Sequence, residues 1–267
     1  MTDARFRDEY RRATNDVLAC LDRTAQQQLA RTSPSLHPDV FSMRTYLEAS
    51  GIRFAHAMDL VERHAPGAHS FLDVGAWMGS FPLALVRLGH EAVAVDAYGY
   101  AGGALDRVRE LLEHDGVKVI DRDLTSGEHD LGQLDVVTNM AMIEHLPDSP
   151  RPLLRNLHRA CGRLLVLDTP NLAYGFRRWG LLRGRSPLPP VRQLYAGDPF
   201  TGHHREYTAA EIRELLDLAG FQPLELRTFN YSLTRDVRNL RQVGYWLAMT
   251  FPACREVVIT AARPRDD

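Results

Sequence analysis

Nowhere does this 267-residue chain hold the run of about 18 apolar residues that a membrane-spanning helix needs. The opening residues, MTDARFRDEYRR, are charged throughout and have no apolar h-region, so no secretory leader is expected. Cysteine is scarce: Cys20, Cys161 and Cys254 lie far apart with no CxxC. That set suits neither a disulfide framework nor a cysteine metal site, and reads as buried free thiols in a reducing cytosol. A basic excess is also missing, since 32 Lys+Arg face 34 Asp+Glu and the net charge is −2. A protein that works by neutralising phosphates usually carries such an excess, so nucleic acid is not the expected partner. There is no internal repeat and no low-complexity tract. These absences predict a soluble cytoplasmic protein with no membrane partner; a homodimer is compatible with the sequence, which does not fix the oligomeric state.

What is present is apolar material in two rhythms. Hydrophobic residues make up 45% of the chain, enough for one large core or a core with a lid. Residues 11–30 and 52–61 carry apolar residues at loose helical spacing, separated by Pro34 and Pro38, which cannot sit inside a helix. From Ser70 onward, short β-branched runs alternate with helix-compatible segments. Strands are predicted at 70–75, 91–96, 117–121, 134–138 and 163–168, with helices at 82–88, 104–114 and 150–160. Such alternation predicts an α/β fold with a doubly wound parallel sheet covered on both faces. After Asp168, residues 169–200 bring five prolines, four glycines, Arg177, Arg178, Arg183, Arg185 and Arg192, and large apolar residues. A segment this long inside a compact domain reads as a lid or binding loop. A helix at 209–219 follows, opened by Thr208 with Glu211 three residues on and closed by Gly220. Strands at 221–229 and 256–262 flank a helix near 236–248. The expected organisation is a helical cap over 1–68, a core over 69–168, a lid over 169–205 and a return to the core sheet over 206–267.

Several strand runs end in a carboxylate or amide: Asp73, Asp96, Asp121 with Asp123, Asn139 and Asp168. In an open α/β sheet the ligand crevice lies beyond the carboxyl ends of the strands, where these side chains converge. The segment Phe71-Leu-Asp-Val-Gly-Ala-Trp-Met-Gly-Ser-Phe81 is a strand, a glycine turn and a helix start, able to bring backbone N–H groups close to a ligand. A dinucleotide turn requires GxGxxG, which Trp77 and Met78 break, so an NAD-dependent oxidoreductase is disfavoured. Asp73, Gly75 and Gly79 instead resemble the first motif of class I S-adenosylmethionine (SAM) methyltransferases, although the middle glycine usual there is Trp77. Asp96, 23 residues beyond Asp73, suits ribose hydroxyls. Asp123-Leu124 resembles the family's adenine site, and the segment from Thr138 to Asp148 its fourth motif. Glu206 to Phe221 resembles the helix-and-strand entry of small-molecule methyltransferases. The resemblance covers 70–168 and 203–262. It implies a Rossmann-like seven-stranded sheet with an antiparallel last strand, SAM as cofactor, and Asp73, Gly75, Gly79, Asp96, Asp123, Leu124 and Asn139 as cofactor-binding residues, with Asp73 receiving the cationic amino-acid end.

The acceptor is read from the residues near the fourth motif. Asn139-Met140-Ala141-Met142 replaces the Asn/Asp-Pro-Pro-aromatic run of amine-directed enzymes, so N-methylation of nucleic-acid bases or glutamine is not expected, while carbon and sulfur acceptors stay open beside the hydroxyl taken up here. Sugar hydroxyls are weak acids and need a base or a metal. His145 is the candidate base, with Glu144 orienting it. In an alternative reading Glu144 and His145, with His203 or His204, hold a divalent ion such as Mg²⁺, with His204 preferred. This resembles the Glu-x-x-Glu-His pattern of metal-dependent O-methyltransferases acting on quinone precursors and RNA ribose, except that Ala141 stands where the first Glu belongs. His203, His204, Arg205 and Tyr207 are the candidate acceptor-binding residues. Trp77, Tyr98, Trp179 and Tyr195 could stack on an adenine or sugar face, whereas Trp246 and Phe251 are expected in the core. A small polar acceptor, a sugar or oligosaccharide, is favoured. The alternatives are a phenol or quinone precursor or RNA ribose with a metal, and a non-catalytic SAM-binding protein.

Overall fold

The computed structural model describes residues 3–32, 43–188, 190–191, 195, 202–231 and 243–265. The proline break at 33–42 lies outside them, as do Arg192 and residues 232–242. The N-terminal segment forms α1 (Asp3–Cys20), α2 (Arg23–Thr32) and α3 (Met43–His64). The single helix expected over 11–30 is two, because Asp22 accepts the Ala25 N–H at 2.8 Å and caps a fresh start. The core then alternates as expected: β1 (Ser70–Val74), α4 (Ser80–Arg87), β2 (Glu91–Asp96), α5 (Asp106–His114), β3 (Lys118–Asp121), β4 (Leu134–Met140), α6 (Arg151–Ala160) and β5 (Cys161–Pro170). It closes with α7 (Gly175–Leu182), α8 (Ala209–Leu218), β6 (Phe221–Phe229), α9 (Val243–Thr250) and β7 (Val257–Pro264).

The seven strands form one sheet in the order β3-β2-β1-β4-β5-β7-β6. Pairing is parallel from β3 through β5, and β7 runs antiparallel to both β5 and β6. Side-chain alternation divides each central strand between two cores. Phe71, Val136, Leu164 and Val166 face the cap helices with α4 and α5, while Leu72, Val137, Leu165 and Leu167 face α6 and α8. The cap is bonded to the core by aromatic contacts: Phe54 of α3 stacks on Phe81 of α4 at 4.4 Å, and Phe6 meets Phe81 edge-on at 6.0 Å. Thr208 and Glu211 form the predicted reciprocal capping box at the start of α8. Because β1 and β4 are adjacent and parallel, with Asp73 beside Thr138 and Val74 beside Asn139, the polar strand ends lie side by side at one sheet edge.

Two non-glycine residues hold left-handed backbones, Trp77 at φ 48° and Ala141 at φ 52°. The turn after β1 therefore keeps the conformation that a glycine would take most easily, at a cost of roughly 1–2 kcal/mol. The Trp77 N–H donates to Asp96 Oδ2 at 2.7 Å, and the ring packs edge-on against Tyr46 of the cap at 5.6 Å. Those contacts hold the strained residue in place. Trp246 and Phe251 depart from expectation. They pack against each other at 5.3 Å, yet both are exposed at the surface, because α9 lies outside the sheet against α7.

Candidate active site

At the edge beyond β1, β2 and β4, burial sets the chemistry. Asp73 is buried and accepts a hydrogen bond from Thr138 Oγ1 at 2.7 Å; burial pushes its carboxyl up to about 7. Asp96 is pushed up to about 6 for the same reason, against the opposing pull of the Trp77 and Ala97 N–H groups. Asn139 is fully buried, its Nδ2 donating to the Val74 carbonyl at 3.0 Å, and its Oδ1 has no hydrogen-bond partner among the described residues. Gly75 is left-handed, and a Cβ there would lie 2.7 Å from the Met142 side chain. Glycine at 75 therefore lets the turn pack directly against Met142. Gly79 is left-handed as well and opens α4. Beyond β3, Asp123 is exposed and folds back to accept from Thr125 N and Oγ1 at 2.8 and 2.6 Å. Leu124 is buried, its carbonyl held by Asn156 Nδ2 at 3.1 Å. Asp121 accepts the Tyr98 N–H at 3.0 Å and fixes the loop after β2, where Arg109 sits 5.1 Å from the Tyr98 ring centre.

A second group lies at the tips of β4 and β5. Arg53 of α3 is buried, with Nη1 3.5 Å from Asp168 Oδ1 and its guanidinium 4.8 Å from the Tyr231 ring centre. Asp168 also accepts the Ala141 N–H at 2.7 Å. Glu144 is buried too. Its Oε2 accepts from Thr169 Oγ1 at 3.1 Å, its backbone carbonyl takes the N–H groups of His204 and Arg205, and burial raises its carboxyl to about 7. Glu144 therefore anchors the end of the 169–205 segment onto the tip of β4.

The rings of His145 and His203 meet edge-on at 4.8 Å. His203 Nδ1 lies 2.6 Å from Glu206 Oε1, and Glu206 is only 5% exposed. A carboxylate can only accept, so Nδ1 carries the proton and Nε2 keeps its lone pair. Arg177 of α7 binds the same carboxylate, with Nη2 2.6 Å from Oε1. Burial, aided by the nearby His145, Arg177 and Arg53, holds the His203 imidazole below its usual range. His203 also lines a cavity of about 410 Å³ with Tyr174, Phe176, Arg177, Tyr231 and Glu256.

Of the four residues expected to bind acceptor, the structure places only His203 on this cavity. Tyr207 is buried in the core on the α8 side, and Arg205 lies over the Tyr207 ring at 5.3 Å and bonds Glu211 at 3.1 Å. The metal reading changes as well. Ligand atoms of Glu144, His145 and His203 come within 4.8 Å of one another, so His203 takes the place expected for His204, whose backbone N–H is what meets Glu144. Two imidazoles and one buried carboxylate, already engaged by Thr169, do not match the oxygen ligands that Mg²⁺ demands. The set does not fit that ion. Sequence reasoning passed over Arg53 and Glu206. The signal for Arg53 was its place on the buried stripe of α3 with Leu47, Ser50, Ala57 and Leu60; for Glu206 it was the i+3 spacing from His203.

Residues 47–226 match the sequence model of a family described as a methyltransferase domain. The chain belongs to the class I SAM-dependent methyltransferases. Within curated proteins it is similar to the ubiquinone biosynthesis O-methyltransferase of Pseudomonas aeruginosa, 35% identical over 188 residues, which cover 66% of this chain and 77% of that protein. Among solved structures it resembles magnesium protoporphyrin IX methyltransferase from Synechocystis PCC 6803 with bound SAH, at TM-score 0.54 and 18% identity over 91% and 95% of the two chains. It also resembles the N-methyltransferase NodS from Bradyrhizobium japonicum WM9 in complex with S-adenosyl-L-homocysteine (SAH), at TM-score 0.53 and 14% identity over 92% and 100%. At these identities the structures bear on the fold, and the methyltransferase architecture is what they share with this chain. The curated relative is named for a quinone pathway, not a saccharide one. No helix among the described residues is long and apolar enough to cross a membrane.

Proposed function

We propose that this methyltransferase acts on a phenolic hydroxyl of a small aromatic acceptor held in the lid cavity, with His203 as general base. The observation that carries the reading is the His203–Glu206 pair on the cavity wall, beside the tips of β4 and β5. SAM supplies an electrophilic methyl group on a sulfonium. The chain's own residues fit it: Asp73 offers a buried carboxylate for a cationic end, Asn139 an unmatched acceptor oxygen, Asp96 a carboxylate for hydroxyls, and Gly75 and Gly79 a left-handed glycine turn leading into α4. Asp123 and Leu124 lie on the loop suited to a purine edge. Arg53 brings a buried cation to the same edge, matched to a carboxylate.

The acceptor class follows from acid strength. His203, held below its usual range, is a weak base. A phenol, with pKa about 10, is closer to it than an aliphatic hydroxyl near water's ~15.7. The difference of about 6 units is roughly 8 kcal/mol of proton-transfer driving force in favour of the phenol. Tyr174, Phe176 and Tyr231 give the cavity ring faces on which a planar acceptor can pack. Glu206 fixes the imidazole tautomer with Nε2 as the proton-accepting atom, and His145 packs against the ring and limits its rotation. No metal enters this scheme. The name of the curated relative supports a quinone-type phenol over the saccharide first favoured. Incubating the chain with SAM and a panel of catechols, phenols and saccharides, with mass spectrometry for a gain of one CH₂, tests the reading. Methylated phenols that disappear with His203→Asn are expected; methylated saccharides with phenols untouched would overturn it.

A further inference from the structure

In sequence Tyr98 offers a ring face for stacking, but the fold uses it otherwise. It opens a short 3₁₀ turn, Tyr98–Ala101, directly after β2. The ring is buried, 4% exposed, in the core shared with the cap, and the Arg109 guanidinium lies 5.1 Å from its centre. The turn is pinned at both ends. The Tyr98 N–H donates to Asp121 Oδ1 at 3.0 Å, and Gln28 of α2 donates from Nε2 to the Gly102 carbonyl at 2.9 Å. Yet the hydroxyl of this fixed side chain has no hydrogen-bond partner among the described residues. Phenylalanine would fill nearly the same space without that cost, since a buried polar group left unmatched is a net loss to stability. After burial itself, the groups that bear most on the hydroxyl are Asp96 and then Asp73, which places it toward the tips of β2 and β1. Burial and both carboxylates hold it protonated, so it is a hydrogen-bond donor.

Donors matter at this edge because the glycine turn keeps several of its own. The sequence suggests that the turn offers backbone N–H groups to a ligand. Four of them bond within the protein instead: Gly75 and Ala76 donate to the Val95 carbonyl at 2.9 and 3.2 Å, Trp77 to Asp96, and Gly79 to the Ala76 carbonyl at 2.8 Å. The carboxylates of Asp73 and Asp96 accept, the first from a cationic end and the second from hydroxyls. A ribose whose hydroxyls donate to Asp96 still carries oxygen lone pairs, and these need a donor once water is displaced. We propose that the Tyr98 hydroxyl donates a hydrogen bond to a ribose oxygen of bound SAM. Tyr98 is then a cofactor-binding residue beside Asp96. Asp121 of β3 and Gln28 of the cap are positioning residues that hold its donor in place before the cofactor arrives. The assignment rests on SAM as cofactor and stands whatever the acceptor is.

Calorimetry of Tyr98→Phe tests it, together with a thermal melt of the unliganded protein. The probes are SAH, which shares the ribose, and methylthioadenosine, which keeps the ribose and lacks the amino-acid end. Phenylalanine retains the ring, so packing against Arg109 is unchanged. Both probes should bind about three- to tenfold more weakly than to wild type, the usual worth of one neutral hydrogen bond. The unliganded variant should melt at or above wild type, because the substitution removes a polar group that lacks a partner. A purely structural hydroxyl predicts the reverse, a lower melt with both affinities unchanged. A melt below wild type, or SAH affinity equal to wild type, overturns the proposal. So does a loss confined to SAH, since the donor would then serve the amino-acid end and not the ribose.

Discussion

Replacing Arg53 by Met is expected to expose how the cap and the strand tips depend on each other. Arg53 is the cation facing two buried carboxylates, Asp168 at 3.5 Å and Glu144, whose carboxyls burial already raises. Methionine retains most of the volume and removes the charge, so packing changes little. Breaking a buried pair by deleting one partner costs about 3–5 kcal/mol, because the other is left desolvated and uncompensated. For a domain of this size that is a fall of roughly 10 °C in Tm. The pH dependence has a definite sign. Without Arg53 the folded-state values of Asp168 and Glu144 move further above the ~4 of an unfolded carboxylate, so the native state binds more protons than the unfolded one. The penalty is fully present above the folded values and is relieved as pH falls toward the unfolded ones. Thermal melts of wild type and Arg53→Met at about pH 5 and about pH 8 should show the larger deficit at the higher pH. Adding Asp168→Asn should recover part of it. A deficit below about 1 kcal/mol, or one that grows toward acid, would refute the reasoning.

Other expectations concern the turn, the lid and the ligands. Trp77→Val should unfold in urea with a free energy at least about 1–2 kcal/mol below Trp77→Gly, because a β-branched residue resists the left-handed backbone that glycine accepts. Gly175→Ala should cost about 1–3 kcal/mol by forcing α7 from the Gly244 carbonyl, seen as a lower Tm. Adding Mg²⁺ should leave the turnover of purified protein unchanged, measured as SAH release, since Glu144, His145 and His203 do not suit that ion. SAM affinity in calorimetry should weaken as pH falls through about 7 to 6, where Asp73 takes up a proton and loses attraction for a cation and Asp96 takes up one and loses its charged acceptor for hydroxyls.

The sheet was legible because β-branched runs punctuated by Asp73, Asp96 and Asp121 leave few arrangements other than a doubly wound fold, and the Thr208–Glu211 capping signature marks α8 without tertiary knowledge. Trp77 at a glycine position was visible as an anomaly, but only the Asp96 and Tyr46 contacts explain how the chain tolerates it. The proposed base was harder to read. His145, His203 and His204 look alike in sequence, and what separates them is which ring meets the buried carboxylate of Glu206 and which backbone N–H meets Glu144. Both contacts depend on how the end of the 169–205 segment returns to β4, which local propensity does not encode. Trp246 was read as core because it is large and apolar; the absence of any charge on α9 was the better signal, since it marks the helix and not the residue as unusual.

Methyl-transfer rates of His203→Asn and His145→Asn, measured at saturating SAM on a phenol that the wild type methylates, test the placement of the base most directly. His203→Asn should lose about 10²–10⁴ in rate, while SAH binds as tightly as before. His145→Asn should lose much less. A large loss for His145→Asn with His203→Asn near wild type would contradict the assignment.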